Sequence, residues 1–271
     1  MEFSIEGDAT VNGTRLHYRL DGAMGAPVVA LVNSLATDLT LWDAQVPALA
    51  ARYRVLRYDA RGHGRSAAPA GPYSMGMLVD DLLGLLAFVG AERVHVVGVS
   101  LGGLTALATA LRRPPDLVGI VACDCRADVP PEFAAGIDAR NRLVREQGMQ
   151  AIVATMVERW FTPATLAARP ASLDAIRRMI GETSVEGFTG CAAAIRNSRL
   201  RPRISSIRLP SLFVVGTEDA ALPVAMMQAM QMEVPGSRFA AIAEAGHLPN
   251  VERPEAFNAA LLEFLDRDRT R

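Results

Sequence analysis

Short apolar runs recur through the first part of the chain, at Pro27 to Val32, Tyr53 to Tyr58, Val94 to Val99 and Leu117 to Cys123. Their length and uniform hydrophobicity suit strands buried on both faces. Met75 to Val89 and Leu101 to Arg112 carry helical spacing instead, and Pro114-Pro115 stops the second of them. Strands alternating with helices predict an α/β architecture, a mostly parallel sheet flanked by helices. From Val129 to Arg203 the strand pattern gives way to helical stretches at Phe133 to Gln147, Met149 to Trp160 and Ser172 to Ile180. We read residues 129–203 as a helical cap inserted into a core formed by residues 1–128 and 204–271. The core resumes with predicted strands at Ser211 to Gly216 and Phe239 to Ile242, and with helices at Val224 to Met232 and Pro254 to Arg267.

Composition narrows the function. The 271 residues are 50% hydrophobic and 21% charged, which is ordinary for a globular enzyme and far from disorder. A formal charge of −1 supplies no cationic field, so neither nucleic acid nor a membrane surface is an expected partner. All 28 basic residues are arginine, so guanidinium recognition of carboxylates has to be argued position by position. Cys123, Cys125 and Cys191 are too few for a disulfide framework, and Met1 to Glu6 lacks the basic and apolar regions of a leader. The expectation is a cytoplasmic protein, as monomer or homo-oligomer.

Gly98-Val99-Ser100-Leu101-Gly102 matches G-x-S-x-G between a predicted strand and a predicted helix, the context in which such a serine projects from a strained turn. A serine hydroxyl needs a base to take its proton. Of four histidines, His17 lies in a strand-like segment, His95 inside an apolar run and His63 in a glycine-rich loop upstream of the serine. His247, in a loop between the last strand and the last helix, alone has the expected place and order. Asp219, with Glu218 beside it, follows a late strand and is the expected orienting acid; Asp124, one strand earlier, is the other position where such an acid can stand. The Cys123-x-Cys125 pair has no further cysteine or histidine cluster nearby and is not expected to bind metal.

Acyl transfer also needs backbone donors for the developing oxyanion. Leu101 N–H, directly after the serine, is one candidate, and Leu35 N–H in the loop Asn33 to Asp38 is the other. The run Asp59-Ala60-Arg61-Gly62-His63-Gly64-Arg65-Ser66 fits no phosphate-loop spacing and is expected to be structural, with an Arg-Asp pair fixing it beside the site.

With these residues placed, the chain resembles the α/β-hydrolase superfamily through its elbow, its D-x-R-G-x-G-x-S loop, its acid and its Ala245-Gly246-His247 segment. Within it, the chain resembles the 3-oxoadipate enol-lactonases of aromatic catabolism, through Asn33-Ser34-Leu35, Thr37-Asp38, Trp42-Asp43 and Glu158-Arg159-Trp160-Phe161-Thr162-Pro163. Two positions depart from that pattern: Ala36 replaces an expected glycine, and Cys123-Asp124-Cys125-Arg126 replaces a neutral Asn-Thr type of segment. The resemblance implies the α/β-hydrolase fold and a cofactor-independent serine hydrolase that opens an anionic enol-lactone. A broad carboxylesterase or a carbon–carbon bond hydrolase is the alternative, and a non-catalytic binding protein on this fold is disfavoured by the intact Ser100, Asp219 and His247. Arg126 and Arg159 are candidates for the substrate carboxylate, and Trp160, Trp42 and Ser34 for the acyl pocket.

Overall fold

The computed structural model describes residues 4–269; Met1 to Phe3, where the reading for a leader begins, and the last two residues lie outside that range. The chain opens with two strands outside the predicted apolar runs, β1 (Ser4–Val11) and β2 (Thr14–Asp21), the second containing His17 and its strand-like segment, joined by Asn12-Gly13. Both turn residues have positive φ, 47° and 70°, and Val11 faces Thr14 across them. This is the two-residue turn that Asn-Gly favours because its twist matches that of the strands. The hairpin escapes the search for apolar runs because β1 carries polar residues and is largely exposed.

The remaining elements follow the predicted alternation. They are β3 (Val28–Val32), α1 (Val46–Ala50), β4 (Arg54–Tyr58), α2 (Met75–Phe88), β5 (Val94–Val99), α3 (Leu101–Arg112) and β6 (Leu117–Cys123). Six helices come next: α4 (Pro131–Gln147), α5 (Val153–Trp160), α6 (Pro163–Ala168), α7 (Ala171–Glu182), α8 (Val185–Arg196) and α9 (Arg201–Ile204). The chain closes with β7 (Ser211–Gly216), α10 (Val224–Glu233), β8 (Arg238–Ile242), α11 (Pro249–Glu252) and α12 (Pro254–Arg269). None of the described helices is long and apolar enough to cross a membrane.

The eight strands form one sheet in the order β1-β2-β4-β3-β5-β6-β7-β8, antiparallel at β1-β2 and β2-β4 and parallel from β4 onward. Strands β3, β5 and β7 are buried at every residue, which explains why they read as unbroken apolar runs. The helical insertion is tied to this core at a specific point. Gly187, in the first turn of α8, lies so close to Gly62 that a Cβ on either would overlap the other backbone, and Ser184 donates from Oγ to the Gly62 carbonyl at 2.9 Å.

A second close approach shapes the turn after β5. A Cβ on Gly98 would overlap the Gly102 carbonyl, and one on Gly102 would overlap the Val32 carbonyl. Both obstacles are backbone and cannot rotate away. We expect Gly98→Ala to cost about 3 kcal/mol or more of unfolding free energy, at the upper end for overpacking. Gly136 in α4 has open space around its Cβ position, so Gly136→Ala is expected to stabilise by about 0.5–1 kcal/mol. Urea denaturation of the two variants checks both signs.

Candidate active site

Five neighbouring parallel strands, β3, β5, β6, β7 and β8, end on the same edge, and the loops that follow them carry the candidate residues. Ser100 sits between β5 and α3 with φ 56° and ψ −112°, a conformation that costs a non-glycine residue about 1–3 kcal/mol. Its N–H donates to the Cys123 carbonyl at 2.8 Å, and its carbonyl accepts from Leu104 N–H at 3.0 Å. The strained turn is thereby pinned to β6 and α3, and the half-buried side chain lines a cavity of about 340 Å³.

His247 and Asp219 form the centre of the site's polar network. The Nδ1–H of His247 donates to Asp219 Oδ2 at 2.7 Å, which leaves Nε2 as the free ring nitrogen, and His247 lines the same cavity as Ser100. Asp219 Oδ1 accepts from Ala221 N–H at 2.7 Å and Leu222 N–H at 3.1 Å. Burial pushes the Asp219 pKa up, but the His247 charge and these hydrogen bonds outweigh it and hold the carboxyl below its ordinary value. Asp124 stands beside this pair, fully buried, and burial together with the Asp219 charge raises its pKa well above its ordinary value.

The loop holding His247 is fastened to the insertion. Its N–H donates to the Trp160 carbonyl at 2.8 Å, and its ring lies over the Trp160 indole with centroids 6.0 Å apart and planes inclined by 27°. Glu252 closes the arrangement, accepting from Gly246 N–H at 2.5 Å and from the N–H and Oγ1–H of Thr162, both at 2.9 Å. A buried glutamate five residues past the histidine carries no motif signature, so only the folded chain reveals it.

Leu35 and Leu101 both line the cavity. Leu101 opens α3, so its N–H is among the four that a helix leaves without an internal partner. Ala36, where the enol-lactonase pattern has glycine, has φ 62°, which supplies the physical reason for that preference. Its N–H donates to His63 Nε2 at 3.0 Å, and His63 Nδ1 donates to the Arg61 carbonyl at 3.1 Å. Arg61 finds its carboxylate in α2, with Asp81 at 2.5 and 2.6 Å, and Asp59 accepts from Leu39 and Arg65 N–H groups. The glycine-rich loop therefore acts as a bracket beneath the loop after β3.

The other candidates separate. Trp160, Arg126 and Arg159 line the cavity. Arg126 is engaged by Asp128, through its carbonyl at 3.1 Å and its carboxylate at 3.4 Å, and its guanidinium lies 4.7 Å from the Phe133 ring centroid. Trp42 is corrected: it is fully buried against the Phe257 ring and does not line the cavity, because its large apolar surface fills the core. Ser34 is also buried and lies outside the lining, its carbonyl accepting from Thr37 Oγ1–H at 2.9 Å. Sequence reasoning missed Arg140, a half-buried lining residue of α4 whose pKa is lowered first by burial and then by the nearby charge of Arg159. Neither Arg140 nor Arg159 forms an ion pair with a carboxylate among the described residues. Helical spacing toward the cap interior was the only signal available for it.

Asp124, Asp219 and His247 are the one group among the described residues whose ligand atoms, within 4.8 Å of one another, have the composition of a metal site. His247 Nδ1 and Asp219 Oδ2 of this group are hydrogen-bonded to each other at 2.7 Å. The three cysteines are buried free thiols.

A parallel sheet with a strained serine turn and a buried histidine–carboxylate pair at one edge defines a class, and sequence agrees with it: residues 29–260 match the alpha/beta hydrolase family, to which this chain belongs as a hydrolase. Among its relatives is 3-oxoadipate enol-lactonase 2 of Acinetobacter baylyi, 32% identical over 265 residues and 98% of each chain. The crystal structure of the enol-lactonase from Burkholderia xenovorans superimposes with a TM-score of 0.92 at 38% identity, over 96% of this chain and all of that one. A malate-bound thermophilic esterase from Thermogutta terrifontis gives 0.90 at 30% identity, over 97% and 99% of the two chains.

Burial pushes the His63 pKa down to about 4 from an ordinary 6.5, so the imidazole is neutral in the fold. Between these values the unfolded chain binds the proton and the folded chain does not, so stability is lost as pH falls from 6.5 toward 4. The loss is on the order of 3 kcal/mol from this group. In His63→Gln, which cannot titrate, the slope of unfolding free energy against pH over that window should be shallower than in wild type, as measured by urea midpoints.

Proposed function

We propose that this chain is a serine hydrolase that opens a carboxylate-bearing enol-lactone to the oxo acid through an acyl-enzyme. The observation that carries the reading is the 2.7 Å His247–Asp219 hydrogen bond beside a cavity shared by His247, Ser100 and two arginines, Arg140 and Arg159, that have no carboxylate partner among the described residues. His247 Nε2 takes the Ser100 proton as Oγ attacks the lactone carbonyl carbon, and Asp219 holds the imidazole in the required tautomer and stabilises its charge. The N–H groups of Leu35 and Leu101 receive the oxyanion. The ring C–O bond then breaks, the imidazolium returns its proton to the departing enol oxygen, and the enol relaxes to the ketone. Water, deprotonated by the same histidine, attacks the acyl carbon; the ester C–O bond to Ser100 then breaks, the imidazolium returns the proton to Oγ, and the acid is released. No step requires a cofactor.

The cap, residues 129–203, sets substrate choice. Arg140, half-buried, and Arg159, more exposed, hold the substrate carboxylate between α4 and α5, because a guanidinium facing an apolar cavity is satisfied by an anion far better than by a neutral group. Arg126 has a smaller part, since Asp128 already meets its charge. Broad carboxylester hydrolysis is a second reading, favoured by the likeness to the malate-bound esterase and by the largely apolar lining.

Three outcomes follow. Ser100→Ala should abolish turnover of every ester or lactone the wild type accepts, below about a hundredth of its kcat, while thermal unfolding stays unchanged. Asp219→Asn should slow turnover far more than Asp124→Asn, with a loss of up to about 10⁴ from the misoriented imidazole. Arg140→Met and Arg159→Met should lower kcat/KM for a carboxylate-bearing lactone roughly tenfold to hundredfold, mainly through KM, and leave p-nitrophenyl acetate hydrolysis nearly unaffected. Equal losses on both substrates would favour the broad esterase.

A further inference from the structure

We propose that Asp124 is held as a neutral carboxylic acid that donates from Oδ2 to the Asp219 carboxylate, acting as a positioning residue that sets the basicity of His247. The inference rests on the reading of His247 as the base.

Asp124 follows β6 with φ 40°, and its surroundings leave one atom unexplained. Its N–H donates to the Val214 carbonyl at 3.0 Å, and its Oδ1 accepts from Gly216 N–H at 3.0 Å, so both contacts bind it to β7. Oδ2 is completely buried and has no hydrogen-bond partner. The groups that face this carboxyl are Asp219 and His247 from the loops after β7 and β8, Glu252 from α11, and the thiols of its chain neighbours Cys123, the last residue of β6, and Cys125. Arg126, the nearest cation along the chain, is turned to Asp128 and Phe133.

Carboxyl oxygens of Asp124 and Asp219 lie within 4.8 Å of each other in a buried site, where two full negative charges repel strongly. One proton is therefore shared by the pair, and the donors decide where it sits. Asp219 receives three, from Ala221 N–H, Leu222 N–H and His247 Nδ1–H, whereas Asp124 receives only that of Gly216. The charge belongs on Asp219 and the proton on Asp124. A proton on Oδ2 also supplies the one hydrogen bond that this buried oxygen lacks, with Asp219 as its acceptor. The directions of the two pKa shifts, Asp124 upward and Asp219 downward, agree with this division.

The consequence falls on the histidine. A fourth donor to Asp219 spreads its charge and weakens its pull on the imidazole proton, so His247 stays neutral, and able to accept the serine proton, at lower pH. The neutral amide of asparagine reproduces this donor; an apolar side chain of similar size does not.

The test needs no turnover, so it fails or succeeds independently of the hydrolase reading, which Ser100→Ala decides. Infrared spectra of protein carrying ¹³C-labelled aspartate, recorded at pH 8 where Asp59, pushed up to about 6, is ionised, should show a protonated-carboxyl band. That band should persist in Ser100→Ala and vanish in Asp124→Asn. The His247 pKa, followed by NMR among only four histidines, should be unchanged in Asp124→Asn and should rise by roughly half a unit to one unit in Asp124→Leu. A wild-type spectrum without the band overturns the neutral acid, even where Asp124→Leu does not fold. A His247 pKa that is the same in wild type and in folded Asp124→Leu overturns the positioning role.

Discussion

The parallel alignment of β3, β5, β6, β7 and β8 is the constraint on which everything else depends. Adjacent strands sit about 4.8 Å apart, so loops leaving the same edge are delivered within side-chain reach of one another. Ser100, Asp124, Asp219 and His247 come from positions up to 147 residues apart in sequence, and no local interaction would bring them together. The turn after β5 adds rigidity: glycines at 98 and 102 let β5, α3 and β3 meet backbone to backbone, and the resulting contacts hold Ser100 in a conformation it would otherwise leave.

Around that edge, the loops are fixed by buried polar groups whose partners are themselves backbone. His63 braces the turn at Ala36, Asp59 ties Leu39 to Arg65, and Glu252 joins Gly246 to Thr162. Each works because an unmet buried donor costs about 1–3 kcal/mol, so the loop conformation that satisfies all of them is strongly preferred. Through Glu252 and Trp160 the inserted helices and the His247 loop share one set of contacts. Changes in the insertion can thus reach the histidine without touching the strands.

Electrostatics also shapes the cavity. Asp124 and His247 line it with Asp219 buried beside them, burial pushing a proton onto Asp124 and hydrogen bonds keeping the charge on Asp219. The lining also carries the guanidinium groups of Arg140 and Arg159; burial first, and then the Arg159 charge, lower the pKa of Arg140, and neither arginine pairs with a carboxylate among the described residues.

The apolar runs of β3, β5, β6 and β7 were legible in the sequence because a strand buried on both faces must be apolar throughout, and the serine turn was legible because only small residues fit around it. His247 could be chosen from four histidines by chain order alone. The β1-β2 hairpin could not be read from hydrophobicity, since its outer strand faces solvent, although Asn12-Gly13 marked its turn. Trp42 and Trp160 look alike in sequence; one packs on Phe257 in the core and the other on His247 in the cavity. Arg126 and Arg140 are likewise indistinguishable until Asp128 is seen to meet one, while no carboxylate among the described residues pairs with the other. Local pattern determined which segments form strands and helices, because hydrogen bonding and burial within a segment act over a few residues. Which polar side chains meet, and which of them are left to a ligand, was decided only by the tertiary structure, because their partners come from loops that the parallel sheet brings together across more than a hundred residues.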